Sequence, residues 1–265
     1  MTKPKQILIT NDDGYESEGL KRLADAVRHL GQVTIVAPAT EQSACGHSLT
    51  LTEPMRFISV DDDFYKLDNG TPSDCIYLAL HTLFEERKPD IVLSGINKGS
   101  NMGEDITYSG TAAGAMEGTL HGVPSIAFSQ VYKKQDDKII FDFDVAAQVA
   151  SEIVEKVLNG GFPLTNRRFL NVNIPSMNAQ DYKGMKVTKA GWRLYGNDAE
   201  LHRNPRGEEY WWLGLHPLAW EEYDYSPREF ISDFEAIKDG FVSVSPIQLD
   251  MTAYESLHSL THWLS

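Results

Sequence analysis

Asn11-Asp12-Asp13-Gly14 follows directly on the apolar run Ile7-Leu8-Ile9. Two adjacent carboxylates at the end of a buried strand repel each other, and a turn at that point aims both side chains at one place. A divalent cation relieves the repulsion, and hard ions such as magnesium or manganese take oxygen ligands. The tetrad alone leaves an Asp-rich turn open as the alternative. Two further apolar stretches run into oxygen donors: one passes Pro38 to reach Glu41-Gln42-Ser43, the other ends at Ser94-Gly95-Ile96-Asn97. Asp12 and Asp13 with the neutral oxygens of Ser43 and Asn97 roughly neutralise one divalent ion and leave positions for water and substrate. Such an open site binds a phosphate oxygen, polarises phosphorus and lowers the pKa of a bound water. Ordinary loop hydrogen bonding by Ser43 and Asn97 is the competing reading.

The segment from Ser94 to Gly103 is rich in Gly and Asn, and Tyr108-Ser109-Gly110-Thr111 opens the next helix. Backbone N–H groups at a helix N-terminus favour anions, glycine lets a ligand approach the backbone, and Ser109 and Thr111 add hydroxyls. The stretch reads as a phosphate cradle, or more simply as a Ser/Thr helix cap. The Walker pattern is absent, and Asn-Asp-Asp-Gly stands where a dinucleotide fold would carry its glycine fingerprint. The eight histidines are scattered without a metalloprotease spacing, although His47 lies near Ser43. Neither a Gly-x-Ser-x-Gly elbow nor a Cys–His signature supports covalent catalysis by Ser or Cys.

These residues need a frame that gathers them. Ile7 to Ile9, Val33 to Pro38, Asp90 to Gly95, Val123 to Phe128 and Phe169 to Pro175 read as strands, and Leu49 to Val60 as a hairpin or meander. Helices are predicted where Leu20, Leu23, Ala24, Val27 and Leu30 recur at helical spacing with Gly31 as the stop, after Thr71-Pro72-Ser73-Asp74, over Gly110 to Leu120, and along Val145, Val149, Ile153, Val157 and Leu158. The alternation implies an α/β fold: a Rossmann-like, doubly wound, mostly parallel sheet with its ligand site beyond the carboxyl ends of the strands. The reading is of one domain, with a core over 1–185, a β-rich arm over 186–240 and a closing strand and helix over 241–265. The arm carries Trp192, Tyr195, Tyr210, Trp211, Trp212, Trp220, Tyr223 and Tyr225. Such rings mark an interface or complete a core. Phe241 to Leu249 reads as a strand, and Tyr254, Leu257, Leu260, Trp263 and Leu264 as the final helix.

Composition narrows the partners. The 265-residue chain is long enough to bury a sizeable core. A formal net charge of −14 offers little counterion release on a nucleic acid, so no such polymer is expected as a partner. Cys45 and Cys75 are the only cysteines, too few for a disulfide framework or a thiolate metal set, and a reducing compartment, the cytoplasm, is expected. The opening segment is too short for a signal peptide and nothing later is long enough to span a bilayer, so no membrane association is expected.

The motifs in combination resemble the SurE family, the survival-protein nucleotidases. The resemblance rests on Ile9-Thr10-Asn11-Asp12-Asp13-Gly14, Gly70-Thr71-Pro72-Ser73-Asp74-Cys75, Ser94-Gly95-Ile96-Asn97 through Gly103, and Tyr108-Ser109-Gly110-Thr111 through Glu117-Gly118. It continues through Leu170 to Pro175, Asn204-Pro205-Arg206-Gly207 with Tyr210 to Gly214, and Asp239 to Pro246, and so covers nearly the whole chain in collinear order. It implies a metal-dependent phosphatase acting on nucleoside monophosphates at the 5' position, with 3'-nucleotides or short polyphosphate as further substrates. It also implies one divalent cation per subunit, magnesium or manganese, held by Asp12, Asp13, Ser43 and Asn97, with Asp12 and Asp13 catalytic. The substrate-binding residues it implies are Asn101, Ser109, Gly110 and Thr111. Homodimers or homotetramers built by exchanging C-terminal segments are expected, which gives the aromatic arm a role. The chain departs from the family pattern at Ala44, where Gly is common, at Lys98, where a small or neutral residue is frequent, and slightly at Ala112 and Gly114. Two alternatives stand beside this reading: a haloacid-dehalogenase-like phosphotransferase working through an aspartyl-phosphate, and a non-catalytic nucleotide-binding protein.

Overall fold

The computed structural model describes residues 3–135, 138–196, 199–213, 219–221 and 229–265. In chain order the elements are β1 (Gln6–Thr10), α1 (Glu18–Val27), β2 (Gln32–Pro38), β3 (Phe57–Asp61), β4 (Phe64–Leu67), α2 (Pro72–Thr82), β5 (Ile91–Lys98), α3 (Gly110–Leu120), β6 (Ser125–Gln130), β7 (Lys133–Gln135) and β8 (Lys138–Ile140). They continue with α4 (Asp144–Gly160), β9 (Arg168–Ile174), β10 (Met185–Val187), β11 (Trp192–Arg193), β12 (Ala199–Arg203), β13 (Glu209–Leu213), β14 (Trp220–Glu221), α5 (Asp233–Lys238), β15 (Val242–Gln248) and α6 (Leu257–Leu264). Gly214, Tyr223 and Tyr225, singled out above, lie outside the described residues.

A sheet of order β10-β15-β9-β6-β5-β1-β2-β4-β3 forms the frame. The pairs from β9 through β6, β5, β1 and β2 to β4 are parallel, whereas β15 on β9 and β3 on β4 are antiparallel. The alternation of a strand decides which side chain meets which layer. On β1, Ile7 and Ile9 enter one core with Leu20, Leu23, Val149 and Ile153 of α1 and α4. Leu8 enters the other, with Ile76, Ala79 and Leu80 of α2. Strands buried on both faces are the mark of parallel α/β sheets. From β1 the chain crosses by α1 to β2 on one side, and β5 lies on the other. The reversal leaves a crevice at the carboxyl end of β1.

The helices start where their caps dictate. Ser17 accepts the Leu20 N–H, and Thr71 and Asp74 form a reciprocal capping box with Pro72 at the first turn. Ser109 accepts the Ala112 N–H. Helix α3 is buried from Gly110 to Thr119, and its small residues let it lie against the sheet. A Cβ at Gly118 would stand 2.5 Å from Ser125 Oγ and 2.9 Å from Val92 Cβ.

Three expectations differ from what is observed. The early hairpin forms at 57–67, because the turn Asp62-Asp63 lies beyond the stretch singled out, and residues 49–56 run without regular structure. Ser232 and Glu235 build a capping box for a short helix, α5, inside the segment read as a β-rich arm. Helix α6 forms where expected, but every one of its residues is exposed, so within one chain it closes nothing. The hairpin β12–β13 is likewise exposed along both strands. Among the described residues no helix is long and apolar enough to cross a membrane.

Gly118→Ala is expected to destabilise the fold by about 1–3 kcal/mol, because overpacking against Val92 outweighs the better helix propensity of alanine. Urea denaturation measures it, and a variant as stable as the parent would contradict the close approach of α3.

Candidate active site at the carboxyl end of the first strand

Asp12 leaves β1 facing the first turn of α3. Its Oδ2 accepts the Thr111 N–H at 3.0 Å and its Oδ1 accepts the Thr111 hydroxyl at 2.5 Å. Helix N-termini attract negative charge, and here the charge is a residue of the chain itself. The approach depends on Gly110, where a Cβ would lie 2.8 Å from Asp12 Cβ and 2.8 Å from Cys45 Sγ. Burial pushes the Asp12 carboxyl up to about 6; the Thr111 hydrogen bond opposes this and the neighbouring Asp13 charge adds to it. Asp13 is also raised, first by burial, with the Lys98 backbone N–H and charge opposing and Glu41 adding. Its Oδ2 accepts the Lys98 N–H at 3.2 Å.

Ser43 and Asn97 each stand one residue away from a backbone bond to this acidic pair. The Gln42 N–H donates to the Asp12 carbonyl at 2.7 Å, and Asn97 precedes Lys98. Ser43 is exposed, with its hydroxyl donating to Glu41 Oε1 at 2.7 Å. Asn97 donates Nδ2 to the Gly99 carbonyl at 3.0 Å, which commits the nitrogen and leaves Oδ1 as the donor atom for a ligand. Among the described residues no three His, Cys, Asp or Glu gather into a metal cluster. Two carboxylates and neutral oxygens are the available set, and that set suits a hard divalent ion rather than a thiolate or imidazole metal. The fit rests on the carboxylates: both are raised by burial, and cationic charge beside them would relieve that cost.

The cradle residues are distributed differently. Ser109 accepts the Ala112 N–H at 2.9 Å, so its own O–H remains to donate, and the Gly110 N–H belongs to the unpaired first turn of α3. Thr111 commits its N–H and hydroxyl to Asp12. Asn101 is buried, with Nδ2 on Ser129 Oγ at 2.7 Å and its N–H on Asn173 Oδ1 at 2.8 Å. Its carbonyl accepts from Asn171 and Asn173.

Several positioning residues escape a reading by motif. Asn171 and Asn173 are buried on β9, and their spacing of two was the available signal that both face one side. His47 reaches Glu117 Oε2 at 2.7 Å and His121 reaches Glu117 Oε1 at 2.9 Å. Burial raises the Glu117 carboxyl, but the two imidazole hydrogen bonds bring it below its usual range. His47 thereby ties the Ser43 loop to α3, helped by the Gly46 N–H on the Tyr108 carbonyl at 2.9 Å. Ala44 in that loop takes a φ of 56°, a left-handed conformation in which glycine would be relaxed.

Fold and site together define a class: a Rossmann-like α/β protein whose acidic first-strand end meets the N-terminus of a buried small-residue helix. The family model of survival protein SurE matches residues 7–197. A 5'-nucleotidase SurE of Wolinella succinogenes is 60% identical over 261 residues, covering 98% of this chain and 99% of that protein. One of Sulfurimonas denitrificans is 59% identical over 268 residues, covering 98% of each. The crystal structure of the SurE protein from Aquifex aeolicus superposes with a TM-score of 0.81 at 43% identity, covering 98% of this chain and 100% of that one. The chain belongs to the SurE family.

Asp12→Asn is expected to change how the stability of the metal-free protein depends on pH. The folded carboxyl holds its proton up to about 6, whereas its ordinary value is 3.8. Between these values the folded state binds the proton more tightly, so this group adds stability as the pH falls and withdraws it as the pH rises. The asparagine variant lacks that dependence. In chelator, its stability relative to the parent should rise by on the order of 2–3 kcal/mol between pH 4 and pH 7.5. Parallel stability curves would contradict the desolvated carboxylate.

Proposed function

We propose that this chain is a metal-dependent 5'-nucleotidase, hydrolysing nucleoside monophosphates to nucleoside and phosphate, with 3'-nucleotides and short polyphosphate as further substrates. The observation that carries the reading is the acidic pair, Asp12 buried and Asp13 half-buried, beside a helix N-terminus, in a chain more than half identical, end to end, to proteins named 5'-nucleotidase SurE. Asp12, Asp13, Ser43 and Asn97 would hold one divalent cation per subunit, magnesium or manganese. Bound there, such an ion supplies a Lewis acid for a phosphoryl oxygen and lowers the pKa of a coordinated water.

The chain's own residues divide the remaining work. The Ser109 hydroxyl and the Gly110 N–H donate to phosphoryl oxygens and stabilise the negative charge that develops on them. Asn101 shapes the same side of the cradle. Thr111 takes part by fixing Asp12. Both oxygens of Asp12 accept from Thr111, whereas Asp13 spends Oδ2 on Lys98 and keeps Oδ1. Asp13 is therefore the carboxylate that orients the attacking water and takes its proton. The same commitment of Asp12 disfavours a route through its aspartyl-phosphate. Lys98 places a positive charge beside the pair and strengthens phosphate attraction.

The reading extends to assembly. The core over 1–185 carries the site, and the arm over 186–240 with the segment 241–265 joins subunits into a dimer or tetramer. Trp211, Trp212 and Leu213 of the arm and Trp263 and Leu264 of α6 are 63% to 85% exposed in the single chain, more apolar surface than a monomer ordinarily presents. The free thiols of Cys45 and Cys75 and the acidic charge suit a cytoplasmic enzyme that binds neither nucleic acid polymers nor membranes.

Phosphate release from AMP and GMP should require added magnesium or manganese and stop with chelator. Asp12→Asn and Asp13→Asn should each lower turnover by about a hundredfold or more with an unchanged circular dichroism spectrum. Near-normal turnover by either variant, or full activity in chelator, refutes the assignment.

A further inference from the structure

Asp233 is a buried carboxylate that the proposed reaction leaves unused. It stands at the first position of α5, behind the Ser232 cap. Its Oδ2 accepts the Gly103 N–H at 2.8 Å, while its Oδ1 accepts the Gly191 N–H and the Phe234 N–H, both at 2.9 Å. Burial pushes the carboxyl up to about 6 against these donors. A buried charge that costs stability calls for a reason beyond starting a short helix, which a neutral side chain does as well. What a carboxylate adds is two acceptor oxygens, here spent on two distant segments at once.

Those segments are the loop before α3 and the base of the arm. Gly103 lies two residues after Asn101 and opens the turn that ends just before Ser109, so it belongs to the strip of chain joining the two sides of the cradle. Gly191 lies near the start of the arm. The two backbones meet closely: a Cβ on Gly103 would lie 2.6 Å from the Gly191 carbonyl oxygen, and one on Gly191 would lie 2.4 Å from the Phe234 ring. The arm holds the outer side of the same turn as well. The Arg193 N–H donates to Glu104 Oε2 at 2.6 Å, Arg193 Nε to Asp105 Oδ2 at 3.1 Å and the Tyr195 hydroxyl to Asp105 Oδ1 at 2.9 Å. The acidic half of the site is held by other means, through Gln42, Lys98 and Thr111.

We infer that Asp233 is a positioning residue for the phosphate-binding half of the site, making the docked base of the arm a condition of tight substrate binding. The inference rests on the nucleotidase reading for the identity of the cradle. It separates two things that a merely structural Asp233 would keep together: substrate affinity, which depends on the arm, and metal affinity, which does not.

Asp233→Asn turns an acceptor into an amide N–H₂ facing a backbone N–H. Gly191→Ala keeps the acid and the loop residues in place but wedges the arm base away from both, its Cβ falling 2.4 Å from the Phe234 ring and 3.1 Å from Asp233 Oδ1. Two readouts serve: the KM for AMP with manganese, and the affinity for inorganic phosphate by calorimetry. The control is the manganese concentration that gives half-maximal activation. Both variants should weaken AMP and phosphate by about tenfold, as expected for a buried acceptor lost, with kcat and the manganese midpoint unchanged. Folded variants with parental KM and phosphate affinity overturn the inference. So does a fall in manganese affinity that matches the loss of substrate affinity. Should the asparagine variant not fold, Gly191→Ala decides alone. If the parent releases no phosphate from AMP yet binds inorganic phosphate, the nucleotidase reading fails while the phosphate titration still decides this inference; a parent that binds neither removes both.

Discussion

Asp12 held against the first turn of α3 is the constraint on which the rest of the structure depends. A carboxylate buried beside a second carboxylate is unfavourable, and the Thr111 N–H and hydroxyl offset part of the cost. For that contact to form, α3 must approach the end of β1 more closely than side chains normally permit. The helix is accordingly built mostly of Gly, Ala and Thr, with Gly110, Gly114 and Gly118 at the closest approaches to Asp12, Ser94 and Ser125. A broad-shouldered helix would stand off the sheet and leave the acid without its donors. The small residues are thus a consequence of the acidic pair as much as of packing.

Around this contact the site is assembled in two halves that meet at α3 and are otherwise supported separately. The acidic half is gathered at the crevice created by the reversal of strand order at β1, where neighbouring strand ends carry the Ser43 loop and the Asn97 bulge inward. The proposed phosphate half hangs on the segment between β5 and α3, whose regular structure is a single 3-10 turn at Gly103–Thr107. Buried polar groups hold that segment on both sides: Asn171, Asn173 and Ser129 fix Asn101, and Asp233 fixes Gly103. In a low-dielectric interior such bonds are directional and expensive to break. They give this mostly irregular segment a fixed position.

The Ser43 loop shows the same economy. It takes a left-handed turn at Ala44 and Gly46 and is fastened by Gly46 to Tyr108 and by His47 to Glu117. Glu117 sits on α3, so the helix that holds Asp12 also holds the loop carrying Ser43. One helix therefore sets the distance between the acidic pair and Ser43.

Much of this was legible in the residues themselves. Apolar runs bounded by Gly and Pro, helical spacing and the Thr71 and Ser109 caps were sufficient to place α1 to α4 and the strands β1, β2, β5, β6 and β9, because local periodicity and capping act over a few residues. The acidic tetrad and the Tyr-Ser-Gly-Thr turn were legible because their chemistry is unusual wherever they fold. The rest depended on contacts between residues far apart in the chain. No local signal joins Asp233 to Gly103, His47 to Glu117 or Thr111 to Asp12. The roles of Thr111 and of the buried asparagines emerged only once the sheet had brought them together. The exposure of α6 and of the β12–β13 hairpin was equally beyond reach, since an apolar stripe states that a face must be covered but not by what. Residue type determined which chemistry was available to this protein; the topology of the sheet decided which groups meet, because proximity across a hundred residues is a property of the fold alone.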